Sequence, residues 1–372
     1  MKKQKLTKEF IKALLSQPEE IIDLYDLTYT TPEILTIKRE RKHKDFIYTK
    51  RGKEITNEVE LQRLKDLVIP PAWRKVRIAS LDNAHLQATG RDDKNRKQYR
   101  YHPKWQRIRN QTKFFKMVAF ADALPKLRKQ VNIDIEQKQW TRTKVLAIVI
   151  KLLEESHIRI GNSYYTKKNK TYGLSTMRTR HLQIFKEKFT LQYIGKKGKE
   201  HKVTIKNKKL TRLINRCEEI PGWELFQYYD NDGNKHSIDS GMVNEYIHDL
   251  CGDIFSAKDF RTWAASLISF ETLANVPHAN DMKIKEKQVL ASIDAAAEAL
   301  NNTRTVCRKY YVHPVISECF LDGKIEPYFK MADELPEASE SELQPNEKAL
   351  KLLLETYTPN FHKSLKLRAK AL

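Results

Sequence analysis

The feature that most constrains this chain is a change of hydrophobic period near Trp105. From about residue 34 to that point, apolar residues come in short runs broken by charge, glycine and proline. ILTIKRERKHKDFIYTKRGKEI (34–55) holds two short β-like runs around basic residues. LVIPPAW (67–73) is a loop, because paired prolines continue neither a helix nor a central strand. NAHLQATGRDDKNRKQYRYHP (83–103) reads as a hairpin, two strands about the turn GRDDKNR. Side chains alternate along a strand, so Tyr99 and Tyr101 share one face of the second strand and Gln98 and Arg100 the other.

Beyond Trp105 the period is helical. In KFFKMVAFADALPKLR the residues Phe114, Met117, Val118 and Ala121 fall at i, i+3, i+4 and i+7, and Val145, Ile148, Val149 and Leu152 repeat that spacing. A basic hairpin, FTLQYIGKKGKEHKVTI (189–205), interrupts the helices, which resume to about 330. ADELPEASESELQPNE (332–347) reads as a polar, acidic linker, and KALKLLLETY as a last amphipathic helix. The two periods predict an α+β chain of two domains. Residues 1–106 form a small β-rich N-terminal domain, and residues 107–372 a larger, mainly α-helical domain containing a β-hairpin. A length of 372 residues fits two domains.

Charge narrows the partner. The 69 Lys and Arg against 47 Asp and Glu give a net charge of +22, which points to a polyanion, either nucleic acid or an anionic membrane surface. The basic residues run through nearly the whole length and form no detachable tail. The longest apolar run, VLAIVI (145–150), is too short to span a bilayer and reads as a buried helix segment. The first twenty residues lack an apolar signal core, and the cysteines Cys217, Cys251, Cys307 and Cys319 lie far apart. These features predict a soluble protein in a reducing, intracellular compartment.

A chain this basic should meet phosphates. No HxH or HExxH spacing and no Walker A sequence appears, so neither a metal hydrolase nor an ATPase of those types is indicated. What remains is metal-free phosphoryl transfer, which relies on fixed cations, a nucleophile and a proton donor. HIRIGN (157–162) ends an amphipathic helix with Gly161 placed like a C-cap, which puts Arg159 in the last turn. Favourable interaction with the helix dipole and a role at phosphate are both open for Arg159. SAKDFRTW (256–263) begins like a capping box, Ser256 with Asp259, and sets Arg261 in the first turn of a helix, where the dipole disfavours a cation. Its partner is either a phosphate or an acid such as Asp259. Lys196, Lys197 and Lys199 crowd the turn GKKGK.

In NNTRTVCRKYYVHP (301–314) two tyrosines stand side by side. A phenol of pKa about 10 needs nearby cations to attack a phosphodiester. Nine residues separate Asn302 from Tyr311, a rotation of roughly 900° that puts them on opposite faces of one continuous helix. They can share a phosphate only if the helix starts near Asn302 or breaks before Tyr311. The run Asn301-Asn302-Thr303 is an N-cap signal. Tyr310, about 100° from Tyr311, should face elsewhere and pack.

Together LVIPPAW, HLQATGRDDKNRKQYRYHPKW, HIRIGNSYY, TYGLSTMRTRH, KDFRTWAAS and CRKYYVHP resemble the poxvirus-like type IB DNA topoisomerases, in particular their bacterial members. The resemblance covers about residues 30 to 330. It implies the tyrosine recombinase/type IB topoisomerase catalytic fold behind a β-rich DNA-binding domain, and a monomer closing as a clamp around double-stranded DNA. It implies no cofactor and no metal, and a cytoplasmic, nucleoid-associated protein with no membrane partner. By position, the first catalytic arginine falls on Arg159, the general-acid lysine on Lys196, the second arginine on Arg261 and the nucleophile on Tyr311. Where the viral pattern has a histidine, this chain has Asn302, which donates a hydrogen bond but carries no charge. Gln98, Tyr99 and Tyr101 fall where the family meets the major groove, and packing of the two tyrosines under the sheet is the alternative. A tyrosine recombinase or integrase uses a similar Arg-Lys-Arg-Tyr set, but usually carries a helical core-binding domain in place of the β domain.

Overall fold

The computed structural model describes Ile22 and residues 26–43 and 45–357. They divide into two compact units between Phe115 and Lys116.

The first unit is built on a six-stranded sheet of order β3-β2-β1-β4-β5-β6, with every neighbouring pair antiparallel. The strands are β1 Ile37–Lys42, β2 Asp45–Lys50, β3 Lys53–Glu54, β4 Arg74–Ile78, β5 Leu86–Arg91 and β6 Lys97–Tyr101, and helix α1 (Glu58–Asp66) lies between β3 and β4. Ile37, Tyr48, Leu64, Val76, Ile78 and Ala88 form the main core. The segment read as two β-like runs makes three strands. Arg51 (φ 51°) and Gly52 (φ 80°) are both left-handed, so a two-residue turn returns the chain and pairs Lys50 with Lys53. The 67–73 loop is fastened by Arg39, which donates to the carbonyls of Ile69 (2.8 Å), Pro70 (2.9 Å) and Trp73 (3.0 Å). Asp92 closes the β5–β6 turn, its Oδ1 accepting from the backbone N–H groups of Lys94 (3.0 Å) and Arg96 (2.9 Å).

Helix α2 (Pro103–Ile135) carries the chain onward. In the second unit α3 (Arg142–Ser156) buries the whole of Val145–Ile150. It is followed by α4 (Ser163–Asn169) and a sheet of order β7-β8-β9: Leu182–Ile184, Phe189–Ile194 and Glu200–Ile205. The predicted hairpin is β8–β9, and β7 widens it. Helix α5 (Lys208–Glu218) leads to a small hairpin, β10 (Gln227–Tyr229) with β11 (Lys235–Ser237), where the sequence suggested only helix. Then come α6 (Ser240–Cys251), α7 (Ala257–Ala274), α8 (Met282–Ala299), α9 (Arg304–Tyr310), α10 (Pro314–Leu321), α11 (Glu326–Glu334) and α12 (Pro345–Glu355).

The acidic stretch is no free linker. Residues up to Glu334 belong to α11, those from Pro345 to α12. Glu347 is 3% exposed and accepts from the two terminal nitrogens of the Arg128 guanidinium (2.7 and 2.8 Å) and from the Trp263 indole N–H (3.0 Å). Such charge looks solvated in sequence because its partner, Arg128, is far away in the chain. Among the described residues no helix is long and apolar enough to cross a membrane.

Candidate active site

Arg261 is the fifth residue of α7 and only 4% exposed. A buried guanidinium is costly unless its donors are satisfied. Here Nη1 donates to the carbonyl of His157 and Nη2 to that of Leu300 (2.9 Å), the C-cap residues of α3 and α8. Helix C-termini carry partial negative charge, so the cation is held by two helix ends rather than by a carboxylate. Asp259, offered by the sequence as a partner, instead accepts from Lys116 Nζ (2.7 Å) and from the Ser256 backbone N–H (2.8 Å). Burial and Arg159 lower the Arg261 pKa, but a guanidinium stays protonated. Its Nε is buried without a hydrogen-bond partner among the described residues.

The left-handed cap of α3 is His157 (φ 53°), not Gly161, and its N–H bonds to the Leu153 carbonyl (3.2 Å). Arg159 therefore lies beyond the helix and takes no part in its last turn. Its backbone is clamped to the 173–175 segment: Leu174 N–H donates to the Arg159 carbonyl (3.0 Å) and Ser175 N–H to that of Ile160 (2.7 Å). A Cβ on Gly173 would sit 2.5 Å from the Arg159 carbonyl oxygen, so this close approach needs glycine.

Arg159 Nη2 donates to Asn302 Oδ1 at 2.7 Å. A guanidinium only donates, so this bond fixes the amide with its oxygen toward Arg159. The Asn302 Nδ2 is then a buried donor with no hydrogen-bond partner among the described residues. Asn302 reaches this place because α8 stops before it. Asn301 is left-handed (φ 50°), its N–H bonds to the Glu298 carbonyl (2.9 Å), and the Asn302 N–H bonds to that of Ala297 (2.8 Å), the Schellman arrangement. Thr303 then caps α9. The condition set by helical rotation is thereby met, because no single helix joins Asn302 to Tyr311.

Tyr311 is the C-cap of α9, with its ring centroid 5.5 Å from the Arg261 guanidinium carbon. Ser266, fully buried on α7, donates to the Tyr311 carbonyl (3.2 Å) and accepts from the His313 N–H (3.0 Å), which holds this segment. Burial pushes the Tyr311 phenol pKa up, but Arg261 and Arg159 more than offset it, and the net direction is down. Tyr310, expected to pack, is 39% exposed, with Lys309 Nζ 5.4 Å from its ring centroid. Lys196 is exposed on the β8–β9 turn, which Gly195 closes by donating to the Lys199 carbonyl (2.7 Å).

The structure thus brings four of the five expected residues into one cluster and puts the fifth on a neighbouring turn. Residues 102–327 match the family described as the eukaryotic DNA topoisomerase I catalytic core, and residues 45–92 match the bacterial DNA topoisomerase IB N-terminal domain. The chain is 31% identical over 285 residues to DNA topoisomerase 1B of Acanthamoeba polyphaga mimivirus, covering 74% of this chain and 84% of that protein. It is 23% identical to DNA topoisomerase 1B of vaccinia virus (strain Copenhagen) over 63% of this chain and 72% of the relative. The chain belongs to the type IB DNA topoisomerase family.

Sequence reading of this topoisomerase missed several residues around the cluster: His157, Tyr193, His201 and Ser266. His157, His201 and Ser266 touch Arg261, Asn301 and Tyr311, all distant in sequence, and Tyr193 stacks on His201 across the hairpin, so no local spacing marks them. In the first unit of the topoisomerase the two tyrosines have different settings. Tyr99 is 44% exposed, and its ring stacks on that of Tyr101 (6.0 Å). Tyr101 is half-buried and packs on the clusters of Trp105 and Leu86. Gln98 Nε2 donates to Asp92 Oδ2 (3.0 Å). Asp230 and Asp232 have the spacing of paired metal ligands, but Asp230 closes its own turn, accepting from the N–H groups of Asp232 (3.0 Å) and Asn234 (2.8 Å). Among the described residues no group of three or more His, Cys, Asp or Glu could hold a metal ion.

Proposed function

We propose that this topoisomerase relaxes supercoiled duplex DNA by cutting one strand through Tyr311, letting it rotate and resealing it. Tyr311 loses its phenol proton to water, its Oη attacks a backbone phosphorus, a 3′-phosphotyrosyl bond forms, and the bond to the 5′ oxygen breaks. Lys196 gives that oxygen its proton, a role typically contributing about 10²–10⁴-fold. Arg159, Arg261 and the Nδ2 of Asn302 bind the nonbridging oxygens, whose charge grows in the transition state. One preorganised donor of this kind is worth about 2.7–4 kcal/mol in other enzymes. The phosphotyrosyl bond conserves the energy of the cut bond, so resealing needs no ATP. The guanidinium groups already supply the positive charge, so the reading requires no metal. The chain works as a cytoplasmic, nucleoid-associated monomer that closes around duplex DNA, with domains of residues 1–106 and 107–372. Gln98, Tyr99 and Tyr101 lie on the strand that meets the major groove, Gln98 reading an adenine edge after releasing Asp92.

The observation that carries this reading is the pairing of Arg159 with Asn302 beside the Arg261–Tyr311 contact. It is tested by incubating supercoiled plasmid with the protein in EDTA without ATP. Relaxation of any plasmid is expected, and Tyr311→Phe should abolish it together with the covalent 3′ adduct. Relaxation by Tyr311→Phe would overturn the nucleophile. A requirement for paired target sites would make the protein a tyrosine recombinase, and loss of activity in EDTA would make it a metal-dependent nuclease.

A further inference from the structure

His201 lies between the Lys196 turn and the α8 terminus. It stands on β9 directly across from Tyr193 on β8, and the two rings stack at 4.9 Å and 13°. Its side chain is among the buried polar groups, at 5% exposure. On one edge, Nδ1 meets Asn301 Nδ2 at 2.9 Å. An amide nitrogen can only donate, so Nδ1 is the acceptor and the ring proton is on Nε2. On the other edge, the ring presses on the base of the lysine turn: a Cβ on Gly195 would lie 2.4 Å from Nε2. The residue before Lys196 and the residue before Asn302 thus touch opposite edges of one imidazole. Burial, then Arg159, Arg261 and Lys199, lower its pKa to about 4, which keeps Nδ1 free to accept.

We propose that His201 is a positioning residue that locks the Lys196 turn to the Asn301–Asn302 link, so that the leaving-group acid and the phosphate donors are set as one unit. The inference rests on the role given above to Lys196. A lysine on an exposed turn has many rotamers, and general-acid transfer needs hydrogen-bond reach to a single oxygen. Fixing the base of the turn against the link that carries Asn302 narrows that search. A misplacement of about 1 Å can cost about 10²-fold in rate.

The test is single-turnover cleavage of a duplex whose scissile phosphate has either oxygen or sulfur at the 5′ bridging position. A thiolate leaves without protonation, because its conjugate acid has a pKa of about 8.5. His201→Ala should slow cleavage of the oxygen substrate about 10- to 100-fold and cleave the sulfur substrate close to the wild-type rate. His201→Gln, which keeps a neutral acceptor for Asn301, should recover most of the loss. Asn301→Gly, which removes the amide and keeps the left-handed backbone, should reproduce the His201→Ala defect on the more exposed partner, and the double variant should be no worse than either single one. A His201→Ala defect equal on both substrates, or no defect in either variant, overturns the proposal. Lys196→Ala is the control for the underlying reading. If it is not rescued by sulfur, the general-acid assignment itself fails. If it is rescued and His201→Ala is not, only the positioning role fails.

Discussion

Arg261 and Lys196, which the proposed mechanism gives opposite tasks, have opposite surroundings. Arg261 is buried, and its guanidinium bridges the C-terminal carbonyls of two helices, so its position is fixed before DNA arrives. Lys196 is exposed on a turn that also holds the left-handed Lys197 (φ 68°). A group that stabilises growing charge gains from being immobile and dry, because no reorganisation is then needed during the reaction. A group that delivers a proton must reach the leaving oxygen, and the proposed mechanism gives that task to Lys196 on its exposed turn.

The largest expected effect that sharpens this contrast is on Lys196. Lys196→Ala should lower single-turnover cleavage by about 10²–10⁴-fold and leave the melting temperature unchanged, since an exposed turn residue contributes within about 0.5 kcal/mol. Arg261→Ala should cost about 10²–10³-fold in cleavage. It should also lower the melting temperature by about 5 °C or more, because two buried carbonyls lose their donor. Arg261→Lys should recover little, since an ammonium cannot bridge both helix ends. Equal melting curves for Arg261→Ala and wild type would break the comparison.

Asn302→Ala should fall at the lower end of the range for Arg261→Ala, about 10²-fold, because it removes one preorganised donor and leaves both helix ends bridged. The pH profile is the mildest test. The Tyr311 pKa lies below its ordinary value, so the tyrosinate forms at lower pH than in a free phenol. Cleavage should rise with pH and level off before about pH 10. In Arg261→Ala the rise should move to higher pH, because the strongest downward influence on the phenol is gone. A rise at the same pH in both proteins would show that Arg261 does not act on Tyr311.

The sequence by itself determined the two hydrophobic periods, hence the β-rich and helical parts, and the ordered motifs that carry the family. It also stated the condition on Asn302 and Tyr311, because helical rotation is fixed by backbone geometry. Only the tertiary structure decided how that condition is met, through a left-handed Asn301 and a new cap at Thr303. It also decided that Arg261 pairs with carbonyls and Asp259 with Lys116, and that Glu347 is buried on Arg128. Local pattern records which face of an element is apolar. It does not record which distant backbone end or charge will be brought against a given side chain, and the placement of this site depends on such contacts.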